Sequence, residues 1–309
     1  MKQINNILRL SYSPMTIFEF EKFRDDIDIG NYLENCTIYI IAKRKLPIMQ
    51  LIEGDSSKVH LKISMQGISN ELEIIISQTY NEKLFKGGLT YMRTGNNTKD
   101  EASFHSITLY RGDKEFILAA NIDRLLHLHS QGLITLLTKG DPEPILTYDV
   151  LYVGQCTEQH IFKRFKSHHA LQEILINENI IPENYQMVND LVLLPFNISS
   201  DLVSRIDSDM SFEDVNDLLV GNHGINENAI SLDCEKSLIK AINPKYNKTK
   251  FLNYPKSKDG LYKYNLNAVV YQIQEDIVLR YGEKCIYGDR SLKDASKIAV
   301  FENEEFLIY

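Results

Sequence analysis

The chain has 309 residues, with 34 Lys and Arg against 42 Asp and Glu and a formal charge of −8. Hydrophobic residues at 43% and charged residues at 25% are ordinary for a globular protein and exclude a wholly disordered chain. No run of about 18 apolar residues occurs, so no membrane span is expected, and the first twenty residues lack the apolar core and small-residue cleavage site of a signal peptide. The length suits two domains more readily than one. The acidic total argues only weakly against nucleic acid, because phosphate binding depends on where Lys and Arg sit. Cys36, Cys156, Cys234 and Cys285 form no CxxC pair, which gives zinc little support and fits free thiols in a reducing, cytoplasmic setting.

Thr16 followed by Glu19 reads as a capping box opening a short helix that reaches about Asp26. From Cys36 the pattern becomes strand-like: 36–42, 59–65 and 72–77 are β-branched runs bounded by Gly, Asn and Ser. Residues 103–110 and 115–120 flank Arg111-Gly112-Asp113-Lys114, a hairpin signal. Residues 122–129 suit a helix, on which His127 and His129 do not share a face and are expected to be structural. Residues 1–125 therefore read as an α+β or mainly β domain. The runs 132–138 and 145–154, separated by Pro142 and Pro144, predict an antiparallel pair. A helix over about 158–178 follows, carrying Arg164 and His168 four apart on one face. A strand over about 185–196, an acidic segment 199–230 and a helix over 231–242 ending before Pro244 come next. Residues 251–309 read as a C-terminal extension.

The charge is unevenly placed. Residues 199–230 hold seven acids and one base, Arg205, whereas 235–263 hold eight lysines and two acids, interleaved with Tyr246, Tyr254 and Tyr262 and followed by Tyr264. Lysine among aromatics suits a phosphate-contacting surface, or equally a solvated face over core tyrosines. The acidic segment reads as a solvated loop or as a shield over the site.

The C-terminal half offers a tyrosine at a strand end, an arginine and a histidine on one helix face, a glutamate on a second helix and an asparagine after it. Phosphodiester hydrolysis needs such roles: a carboxylate for a divalent cation, a guanidinium for the phosphate, and a phenol or imidazole to move protons. Tyr152-Val153-Gly154, Arg164-x-x-x-His168 and the segment from Glu235 to Asn247 (EKSLIKAINPKYN) resemble the GIY-YIG nuclease domain, over about residues 132–250.

That resemblance implies an α+β fold class, in which the N-terminal domain (1–125) precedes a GIY-YIG-like domain (126–250) with a small three-stranded antiparallel sheet flanked by helices. It implies one Mg²⁺ or Mn²⁺ held mainly by Glu235. Tyr152 would lie beside the attacking water, Arg164 on the scissile phosphate, His168 in proton transfer, and Asn247 in the loop next to the metal. Gly154 and Lys236, Lys240, Lys245, Lys248 and Lys250 are the expected nucleic-acid contacts. The family's first tyrosine, in a GIY triplet on the preceding strand, is absent from residues 132–138. Tyr148, His168 and His169 are the candidates to replace it as base. The expected function is a metal-dependent endonuclease acting on DNA rather than RNA, in restriction or anti-phage defence. The alternative is a decayed nucleic-acid-binding or interaction module. Residues 1–125 would supply specificity, a regulatory contact or a homo-oligomer interface, and no membrane partner is expected.

Overall fold

A computed structural model describes residues 2–94, 103–112, 115–157, 160–165, 169–178, 189–204, 212, 216 and 224–309. Strand β1 (Lys2–Leu10) and the short β2 (Met15–Thr16) lead to helices α1 (Ile17–Lys22) and α2 (Ile27–Leu33), and then to β3 (Ile38–Lys45). Next come β4 (Pro47–Gly54), β5 (Lys58–Met65), β6 (Leu72–Ser77), β7 (Leu89–Thr94), β8 (Ser103–Phe104), β9 (Ser106–Arg111), β10 (Glu115–Ala120), α3 (Ile122–Ser130) and β11 (Leu136–Lys139). The chain continues through β12 (Thr147–Gln155), α4 (Ile161–Phe165), α5 (His169–Asn177), β13 (Asn189–Ser204) and α6 (Glu227–Ile242). It closes with β14 (Ala268–Ile273), β15 (Val278–Tyr281), β16 (Lys284–Tyr287), β17 (Ile298–Phe301) and β18 (Phe306–Ile308).

The expected α+β class is corrected. Among the described residues, strands take 42% and helices 23%, so the protein is mostly β, and no small sheet flanked by helices stands apart. Instead, β16-β15-β12-β3-β13-β1-β14-β17-β18, with β2 beside β13, form one ten-stranded mixed sheet. It draws strands from all three expected segments. Its pairs are antiparallel except β1 with β14 and β12 with β15. The run 145–154 does not pair with 132–138: β12 pairs with β3, and β11 pairs with β6 in a separate five-stranded sheet. Both runs are apolar, so hydrophobicity alone could not assign their partners. The acidic segment is not wholly a loop, because residues 199–204 finish the long strand β13. Most of the rest of it lies outside the described residues.

Other expectations hold. Thr16 and Glu19 form the reciprocal capping box of α1, β9 and β10 pair as a hairpin, and 122–130 is helical. Helix α6 starts at Glu227 under an Asn226 cap and stops at Asn243, whose left-handed backbone precedes Pro244.

Burial separates the molecule into three cores. Sheet strands and α6 share one, including Ile4, Ile40, Tyr148, Leu194, Cys234 and Leu238. The opposite face of β3, β12 and β13 packs on α1, α2, α4 and α5 through Phe20, Tyr39, Phe162 and Phe165. Residues 47–146 enclose their own core, centred on Ile63, Ile74, Phe104 and Leu125. Arg44 joins that insertion to the large sheet. Only 4% exposed, it pairs with Asp123 of α3 through both terminal nitrogens and donates to Ile145 O at 2.8 Å. Tyr148 of β12 donates to the same Asp123 at 2.7 Å.

Candidate active site

Strands β3 and β12 lie side by side, with Gly154 opposite Tyr39 in the register. The Tyr39 ring, fully buried, crosses over Gly154. A Cβ there would meet Tyr39 Cζ and Oη at 2.5 Å and Tyr152 Cε1 at 2.8 Å. Only glycine leaves room for that crossing. The Tyr39 and Tyr152 rings stack with centroids 6.0 Å apart. Helix α4 buries Ile161, Phe162 and Phe165, and Phe165 packs on Tyr39 at 5.1 Å. That face fixes the helix so that Arg164, beside Phe165, reaches the phenols. Tyr39 and Tyr152 hydrogen-bond to one another and to Arg164. Arg164 Nε is buried with no hydrogen-bond partner among the described residues. Burial raises the Tyr39 phenol most, with Tyr152 adding to the rise and Arg164 pulling it back. Burial also raises Tyr152, as does the negative charge of Glu235.

Glu235 comes from α6 on the other side of the cavity. The helix is fixed by Asp233, a buried carboxylate that accepts from Tyr254 Oη at 2.6 Å, Tyr271 Oη at 2.7 Å and Leu261 N at 2.8 Å. Two residues along a helix turn about 200°, so anchoring Asp233 toward the C-terminal strands turns Glu235 toward Tyr152. Glu235 makes no hydrogen bond and no ion pair within 4.0 Å among the described residues, and burial pushes its carboxyl up to about 7 against the opposing charges of Arg164 and Lys236. Buried Asn247 ties the loop after α6 to β12: its Oδ1 accepts from Val153 N at 2.9 Å and its Nδ2 donates to Val153 O at 2.7 Å. Tyr152, Arg164, His169, Glu235, Asn247 and Lys248 line a cavity of about 410 Å³.

The structure thus brings together Tyr152, Gly154, Arg164, Glu235 and Asn247, with exposed His169 at the rim. His168 lies outside the described residues. Tyr148 is not brought in. A register shift between Val150 and Tyr152 breaks the alternation that would have put both tyrosines on one face, and Tyr148 is fully buried on Asp123. Among the expected phosphate lysines, Lys248 is exposed in the cavity wall, and Lys245 is exposed but paired with Glu178 at 2.8 Å. Lys236 is buried against Asp259, Lys240 donates to Leu252 O at 2.8 Å, and Lys250 donates to Pro244 O. Those three are tied down by the protein itself.

Sequence reasoning missed two residues. Tyr39 was read only as part of a strand, because its partner Tyr152 lies beyond the insertion 47–146. The signal was Ile38-Tyr39 in a strongly apolar run. Glu178 follows α5 and accepts from Lys43 Nζ at 2.5 Å, Lys245 Nζ at 2.8 Å and Tyr246 Oη at 2.6 Å, tying α5 to β3 and to the loop before Asn247. These lysine and tyrosine donors overcome the cost of burial and hold its carboxyl down to about 2. No sequence spacing announces such a three-way junction.

No family model, no curated protein and no solved structure matches this chain. Among the described residues no three His, Cys, Asp or Glu side chains gather as a metal-binding group, and no helix is long and apolar enough to cross a membrane.

Proposed function

We propose that the chain is a metal-dependent endonuclease with GIY-YIG-type chemistry, hydrolysing phosphodiester bonds in DNA in preference to RNA. The observation that carries this reading is a cavity lined by Tyr152, Arg164 and Glu235, with the buried Tyr39 hydrogen-bonded to both Tyr152 and Arg164. Tyr39 supplies a second phenol beside Tyr152, which we take as support for a working rather than a decayed site. The insertion 47–146, with its own core, is the proposed source of target recognition, and restriction or anti-phage defence is the setting we propose.

The residues fit a single Mg²⁺ or Mn²⁺. Glu235 is one carboxylate without a competing ion pair among the described residues, facing a cavity large enough for water and phosphate oxygens to complete the shell. When bound, the ion would polarise the phosphate and stabilise the leaving oxygen. Arg164, half-buried in the cavity wall, offers its guanidinium to the non-bridging oxygens. Both phenols stay protonated at neutral pH, since burial raises them; the buried Tyr39 positions Tyr152, and Tyr152, in the cavity wall, orients the attacking water by a hydrogen bond. His169, exposed at the rim, is placed to take up its proton. Lys248 meets the adjoining backbone.

The test is nicking of supercoiled plasmid by the purified chain with Mg²⁺ or Mn²⁺, alongside Glu235→Ala. Metal-dependent nicking that Glu235→Ala abolishes supports the reading. A wild type inert on both DNA and RNA with either ion, or full activity in the variant, overturns it.

A further inference from the structure

A second cavity, of about 330 Å³, lies where helix α3 of the insertion meets β1 and the turn before β15. We propose that it binds a neutral, planar, nucleobase-like heterocycle that presents an amino donor beside a ring-nitrogen acceptor. The volume is in the range of small-ligand sites, about 300–1,000 Å³. Its lining is mixed, and Leu10, Leu126, Leu146 and Ile277 supply apolar surface for the faces of a flat ring.

The polar end is a donor–acceptor pair. Glu275, 4% exposed, has its orientation fixed because Oε1 accepts from Leu10 N at 2.9 Å. Its Oε2 lies 3.8 Å from His127 Nδ1 and 3.7 Å from Arg290 Nη1, too far for a hydrogen bond to either. On the far side of the imidazole, Gln131 Nε2 stands 2.9 Å from His127 Nε2. An amide nitrogen only donates, so Nε2 accepts and the proton sits on Nδ1. The cavity therefore offers an N–H from His127 and an acceptor from Glu275, side by side.

Charge argues for a neutral ligand. Burial, with Arg290 and Arg124 nearby, pushes His127 down to about 4, so the ring is uncharged at neutral pH. The arginines oppose a cation, while Asp123 and Asp276 in the wall oppose an anion; burial pushes the Glu275 carboxyl up to about 7, so it adds only part of a charge at neutral pH. Neither feature depends on the nuclease reading.

The experiment is titration calorimetry of the full chain with 9-methyladenine and with N6,N6,9-trimethyladenine, which keeps the ring but loses the amino donor. Saturable binding of the first, and binding of the second weaker by about tenfold or more, the worth of one hydrogen bond, supports the site. His127→Phe should weaken 9-methyladenine similarly, and Leu126→Trp should abolish its binding by filling the cavity. If a variant fails to fold, the two-ligand comparison on the wild type still decides. Equal binding of both compounds, or no binding of either at millimolar concentration, overturns the proposal. Cleavage is not measured in any arm, so its failure is separable from that of the nuclease assignment.

Discussion

Gly154 and Tyr39 occupy each other's space: a methyl group on the glycine Cα would stand 2.5 Å from the tyrosine hydroxyl oxygen. Tyr39 is fully buried and cannot swing clear. Gly154→Ala should therefore cost about 1–3 kcal/mol of stability, as overpacking does. It should also lower plasmid nicking by at least about tenfold by moving the phenol, on the scale of a displaced catalytic group. Thermal unfolding and cleavage assays on the same preparation check this. Unchanged values in both would show that the ring relaxes freely.

The Glu235 carboxyl, raised to about 7 by burial, gives a signed pH prediction. Its folded value lies above the ordinary one of 4.5, so the folded protein holds the proton more tightly than the unfolded chain. The metal-free protein should lose stability from this group as pH rises through about 4.5 to 7. Metal needs the ionised form, so Mg²⁺ affinity should fall as pH drops below about 7. Glu235→Gln should remove both trends. A wild-type Mg²⁺ affinity flat from pH 5.5 to 8, on the order of two units around the titration, would contradict the assignment.

Arg44 and Asp123 have side chains only 3% and 1% exposed. Removing one partner from such a pair leaves a buried charge, so Arg44→Met should cost about 3–5 kcal/mol in denaturant unfolding. Asp190 adds to the penalty. Its Oδ2 has no hydrogen-bond partner among the described residues, and it stands 3.8 Å from Arg44, with burial holding its carboxyl up at about 7. Without the arginine the cost should be greater at pH 8 than at pH 5. A loss below about 1 kcal/mol would mean that the pair is replaceable.

Asn247→Ala removes a donor and an acceptor from the Val153 backbone and leaves both of its groups buried and unpaired. The expected stability loss is about 1–3 kcal/mol. Nicking should fall more than binding of uncleaved DNA, because the loop no longer holds β12 beside Glu235. Equal losses in the two assays would point to general unfolding instead.

The legible part of the site lay where spacing is local. Glu235 and Asn247 belong to one helix and its loop, and Arg164 sits on a short helix close after Tyr152, so order along the chain placed them correctly. Tyr39 was hidden because cross-strand contact leaves no trace in sequence distance once residues 47–146 are inserted. The fold failed for the same reason. Individual strands such as β5, β6 and the β9–β10 hairpin were visible from alternation and turns. Which strands share a sheet was decided by long-range pairings such as β1 with β13 and β14. Composition also cannot show that Lys236 pairs with Asp259 or that Lys250 donates to the Pro244 carbonyl.

Strand β1 sits between residues 196–204 on one side and 268–273 on the other. This strand therefore completes its hydrogen bonds only once residues 268–273, far along the chain, are in place. Helix α6 likewise depends on Tyr254, Leu261 and Tyr271 to hold Asp233. A truncation after residue 250 keeps every proposed catalytic residue yet should be inert in the nicking assay, and activity in it would refute this dependence. For the nuclease proposed here, the consequence is that a copy broken before β14 would hold the catalytic side chains without the strands that set them, and so would not cut.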